Sequence, residues 1–73
     1  MSAMYLDCDT TPPLRSRTLR VKTPDAAKRR AFALLDGVTE GQIALYRDYL
    51  GEFLGYAIKP ASGAPFFEEA TDQ

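Results

Sequence analysis

Seventy-three residues make one small domain. A chain of this size draws only about 3–5 kcal/mol from its own core and often oligomerises. An apolar content of 45% excludes a wholly disordered chain, and a net charge of −1 argues against a general nucleic-acid binder. With no His and a single cysteine, Cys8, there is no Cys/His nucleophile pair, metal-ligand cluster or internal disulfide to expect. No catalytic residue, metal or cofactor is therefore expected. A lone cysteine fits a reducing compartment, most simply a cytoplasm. Neither a signal peptide nor an apolar run of membrane-spanning length stands out, so no membrane association is expected.

The charges are not evenly spread. Seven of the nine Lys and Arg residues lie between Arg15 and Arg30, opposed there only by Asp25. The acidic residues gather outside this stripe, at Asp7 and Asp9 and at Glu68, Glu69 and Asp72. Such a stripe is either a solvated face or a surface for an acidic partner.

In chain order, residues 1–14 read as an arm, partly disordered. Its apolar piece Met4-Tyr5-Leu6 precedes an Asp/Thr cluster and Pro12-Pro13, and Tyr5 and Leu6 can dock it. Arg15 to Lys22 alternates: Leu19 and Val21 share one face of a short strand, with Thr18, Arg20 and Lys22 on the other. A strand with one apolar face is not stable alone, so pairing with the same strand of another copy is the expected solution, and an extended loop the bland alternative.

Thr23-Pro24-Asp25 opens a helix, with Thr23 as N-cap, Pro24 at the first helical position and Asp25 at its positive end. Ala27, Ala31, Leu34 and Leu35 fall on one side as far as about Asp36, with Phe32 on the flank. Gly37 suits a left-handed position after the helix. Thr39-Glu40-Gly41-Gln42 has capping-box form, and Val38 and Ile43 can close over it. A second helix is expected from about Glu40 to Ala57. Its apolar arc is wide: Ile43, Tyr46, Leu50, Phe53 and Ala57 form one stripe, and Leu45, Tyr49, Phe53 and Tyr56 another. Gly51 and Gly55, four apart, allow close approach of another backbone. Residues 59–73 read as a flexible tail broken by Pro60, Gly63 and Pro65. Its Phe66-Phe67 pair either folds back or binds a partner.

A basic alternating strand, a capped helix, a Gly37-Val38-Thr39-Glu40-Gly41-Gln42-Ile43 turn and a longer apolar helix together resemble the ribbon-helix-helix family of DNA-binding proteins. The resemblance spans Arg17 to Tyr56. It implies a mainly α, β-α-α fold with one short N-terminal strand over residues 15–58, as an intertwined homodimer. It also implies a transcriptional repressor whose ribbon enters the major groove of double-stranded DNA. Thr18, Arg20 and Lys22 would then face base edges. Arg15, Arg17, Lys28, Arg29 and the backbone around Thr39 and Gly41 would meet phosphates. Leu19, Val21, Tyr46, Tyr49, Leu50, Phe53 and Tyr56 would form the dimer or partner interface. An antitoxin version would use Phe66 and Phe67 on a toxin. The other reading is a small helical inhibitor or adaptor that binds a protein through its aromatic helix face and its basic stripe.

Overall fold

The structure, a computed structural model, describes residues 3–48 and 51–70. Five strands and one helix follow one another as β1 (Met4–Thr11), β2 (Arg17–Leu19), α1 (Pro24–Leu35), β3 (Glu40–Arg47), β4 (Glu52–Lys59) and β5 (Phe66–Glu69). The strands form one sheet in the order β2-β1-β3-β4-β5, every neighbouring pair antiparallel. Because β2 and β3 both run against β1, they are parallel to each other. A parallel connection needs a crossover, and α1 supplies it across one face of the sheet.

The helix forms for the local reasons given above. The Thr23 hydroxyl accepts from the Ala26 amide at 3.2 Å, and Pro24 begins the helix. Ala27, Ala31 and Leu35, four residues apart, are buried against the sheet; Leu34 and Phe32 pack beside them. From the sheet side Met4, Leu6, Leu19, Ile43, Leu45 and Ala57 complete the core.

The mainly α ribbon-helix-helix expectation is overturned: the molecule is largely antiparallel β with one helix. The expected second helix is the hairpin β3–β4. Its apolar arc looked wide because both faces of these strands carry apolar side chains, which leaves no polar alternation to mark a strand. Asp48, in a left-handed conformation (φ 65°), accepts from the Gly51 amide at 3.2 Å and marks the turn. The capping box does not form. The Thr39 amide donates to the Thr11 carbonyl at 2.7 Å and leads into β3. Gly37 is not left-handed; the helix instead ends in tightened bonds, Gly37 N–H to Leu34 C=O and Val38 N–H to Leu35 C=O, both 3.2 Å. Within the chain β2 pairs with β1, Thr18 opposite Tyr5, so it is the edge strand of a five-stranded sheet and not a lone ribbon that needs a second copy for a partner.

Two further features hold the layers together. Lys59 donates from Nζ to the carbonyls of Leu35 (3.0 Å) and Val38 (2.7 Å), closing the C-terminal end of α1 with a positive charge. At the other edge, the Phe67 ring lies over Gly55, whose φ of 142° only glycine adopts readily. Lys28 Nζ sits 4.3 Å from the centre of that ring and 2.9 Å from Glu69. Phe66 and Phe67, read as tail, thus belong to edge strand β5.

Candidate functional site

One helix covers one face of a sheet, and the molecule is thin, 35 × 28 × 18 Å. Strand alternation and register assign the other face. It carries Tyr5, Asp7, Asp9 and Thr11 from β1; Thr18 from β2; and Glu40, Gln42, Ala44 and Tyr46 from β3. Phe53, Tyr56 and Ile58 from β4, and Phe66 and Glu68 from β5, complete it.

A register slip between Leu45 and Tyr46 shapes this face. Leu45 pairs with Gly55 and Tyr46 with Phe53, so Leu54 is the extra residue of a bulge. Leu54 packs against the core, and Phe53 and Tyr56, three apart, come to the same face. A row of rings results. Tyr5 and Tyr46 lie 6.5 Å apart between centroids, Tyr46 and Phe53 5.4 Å, and Phe53 and Tyr56 5.0 Å edge to face. These are favourable aromatic separations. Each of these rings is half-buried, while Phe66 is 47% exposed. Ala44, beside Tyr56 and Asp7, is buried at the floor.

Toward the end of β3 where Glu40 begins it, the face turns acidic. Asp9, Thr11, Glu40 and Gln42 line an open groove of about 410 Å3 with Gly41, Lys59, Pro60 and Ala61. The Lys59 amine is committed to the carbonyls of Leu35, at the end of the helix, and Val38, just after it. Neither the Asp9 nor the Glu40 carboxylate accepts a hydrogen bond or ion pair from a described residue. Asp7 accepts from the Ser16 hydroxyl at 3.2 Å. Among the described strand residues of this face there are four carboxylates, Asp7, Asp9, Glu40 and Glu68, and no Lys or Arg.

The residues expected at DNA are dispersed. Thr18 lies on the open face, at the edge strand, whereas Arg20 and Lys22 follow β2 and are exposed. Arg17 Nε donates to the Arg15 carbonyl at 3.1 Å. Lys28 is engaged with Glu69 and Phe67, and Arg29 is exposed on α1. The backbone of Thr39 and Gly41 lies at no helix N-terminus, and the Thr39 amide is already bonded. Of the expected interface, Tyr46, Phe53 and Tyr56 do come together, on a sheet and not on a helix. Leu19 is buried in the core, Val21 packs against it, and Tyr49 and Leu50 lie outside the described residues. Asp9, Glu40 and Ile58 were missed. Their signal was alternation in β1 and β3, legible only once these segments are known to be strands.

Cys8 points to the helix side, partly buried. Burial pushes its thiol pKa up; Arg17 opposes this and Asp7 adds to it. Among the described residues no group of three or more His, Cys, Asp or Glu could hold a metal ion, and no helix is long and apolar enough to cross a membrane. No family model matches the chain, and neither a curated protein nor a solved structure matches it.

Proposed function

We propose that this protein is a small interaction module that binds another protein through the uncovered face of its sheet. The observation that carries the proposal is the connected row Tyr5, Tyr46, Phe53 and Tyr56, extended by Ile58 and Phe66, opposite the helix. Contiguous aromatic surface rimmed by polar groups is characteristic of protein interfaces, where Tyr and Phe supply large contact area. This is the adaptor reading of the sequence moved from a helix to a sheet. The ribbon reading needed two helices after the strand, and the chain instead has one helix and a five-stranded sheet, which favours the adaptor reading.

Affinity capture from the native cell tests the proposal, using wild-type protein, Tyr56→Ser/Phe66→Ser and the helix-side control Arg29→Ala/Arg30→Ala. Circular dichroism checks that each is folded. The expected result is a set of proteins held by wild type and by the control and lost from the face variant. Capture lost from the control but kept by the face variant would overturn the proposal. So would salt-sensitive duplex binding that disappears in Arg20→Ala, because it would put the activity on the basic edge.

A further inference from the structure

We infer that the occupant of the open face is a cationic protein segment, whose Arg or Lys side chains lie over the tyrosine and phenylalanine rings and reach the Asp9–Glu40 groove. This deepens the interaction-module reading and rests on it. The argument is charge complementarity on an aromatic floor. The chain is nearly neutral overall, but its charges are segregated in space. Four carboxylates and no Lys or Arg occupy the described strand positions of the open face; Lys59 lines the groove from the helix side, with its amine bonded to the Leu35 and Val38 carbonyls. The basic residues Arg15, Arg17, Arg20 and Lys22 follow the β2 edge, and Lys28, Arg29 and Arg30 ride on α1.

That distribution sorts the candidate occupants. A nucleic acid or an anionic lipid surface would meet unneutralised carboxylates. A second copy packed face to face would bring two such sets of carboxylates together with no counter-charge between them, and like charges brought together at an interface are a strong bar to association. A basic segment gains on both counts. Arg and Lys are attracted to the faces of Tyr and Phe rings, and a guanidinium fork suits a pair of carboxylates.

The molecule already contains the same combination on a small scale, in Lys28 over the Phe67 ring and against Glu69. Distances along β3 set the reach. Tyr46, Ala44, Gln42 and Glu40 follow one another on the open face, and six residues of strand separate its aromatic end from its acidic end, about 20 Å. An extended segment of roughly seven residues, with Arg or Lys over the rings at one end and at the carboxylates at the other, spans that distance.

A phage-displayed library of random linear nonapeptides, selected on full-length wild-type protein, tests this directly. Recovered peptides are expected to be enriched in Arg and Lys together with aromatic or aliphatic residues. Their affinity, read by fluorescence anisotropy, is expected to fall tenfold or more in Asp9→Asn/Glu40→Gln, which keeps side-chain size. It should also fall severalfold between about 50 and about 200 mM NaCl. Neutral or acidic winners, no winners, or affinity unchanged in the double variant would overturn the inference. Sedimentation showing a wild-type dimer that Phe66→Ser dissociates would also overturn it, by making the occupant a second copy. If cellular capture still depends on Tyr56 and Phe66 while the library fails, the module stands and its cationic ligand falls. If capture is insensitive to the face as well, both fall.

Discussion

Replacing Lys59 by Met keeps most of the side-chain stem and removes the amine that closes α1. The amine donates to two carbonyls, of Leu35 at 3.0 Å and of Val38 at 2.7 Å. A hydrogen bond to a charged group contributes about 1.5–3 kcal/mol net when protected, and a cation at a helix C-terminus about 0.3–1 kcal/mol more. Lys59 is only half-buried, so water takes over part of the lost bonding. We expect a loss of about 2 kcal/mol, the lower part of that combined range. In a domain of this size that lowers Tm by roughly 8–16 °C. It is also about half of what a core this small supplies. Urea titrations followed by circular dichroism and tyrosine fluorescence should show a lower midpoint at an unchanged slope. Lys59→Arg should recover part of the loss. Amide exchange at Val38 and Thr39 should accelerate more than in the centre of β3. A Lys59→Met protein within about 0.5 kcal/mol of wild type would refute the reasoning, because the tightened bonds at Gly37 and Val38 would then suffice to end the helix.

Two further predictions concern the sheet and the thiol. Gly55→Ala places a Cβ against the Glu68 backbone carbonyl oxygen and about 2.7 Å from the Phe67 ring, at a backbone angle of φ 142°, and it should cost roughly 2–4 kcal/mol in a thermal melt. Combined with Phe67→Ala it should cost less than the sum of the two, because the ring's share of the clash disappears while the crowding against the Glu68 carbonyl stays; strict additivity would show that the ring does not rest on Gly55. The pKa of Cys8 is raised, chiefly by burial, so the fold favours the neutral thiol. Alkylation by iodoacetamide near neutral pH should be much slower than in urea-unfolded protein. The stabilisation from this group is fully present below the unfolded thiol's pKa and is lost as pH rises through the folded one. It should be missing from Cys8→Ser, and equal alkylation rates in folded and unfolded protein would contradict the burial.

The helix α1 was legible in the sequence because its determinants are local. Thr23, Pro24 and Asp25 start a helix wherever the surrounding chain permits, and Ala27, Ala31 and Leu35 mark its inner face at a spacing set by the helix itself. The segment around Leu19 could also be read as extended. The hairpin from Glu40 to Lys59 was not legible. Its inner positions, Ile43, Leu45 and Ala57, alternate with outer positions that are apolar too, Ala44, Tyr46, Tyr56 and Ile58, so the period-two signal vanishes and a wide helical arc remains. Two local clues pointed the other way: Asp48 and Gly51 at the turn, and glycines at 51 and 55 in what would have been a helix interior.

The sequence by itself determined the helix and its cap, the segregation of basic from acidic residues, and the presence of an aromatic set. Tertiary structure alone decided which strand pairs with which. It gave β2 a partner in its own chain, drew Met4–Thr11 into the sheet between β2 and β3, and brought Tyr5 to within ring contact of Tyr46, far away in the chain. The physical reason is that a helix closes its hydrogen bonds among near neighbours. A strand closes them with whichever segment comes to lie alongside, so the identity of that segment, and with it the surface the rings present, is a property of the whole fold.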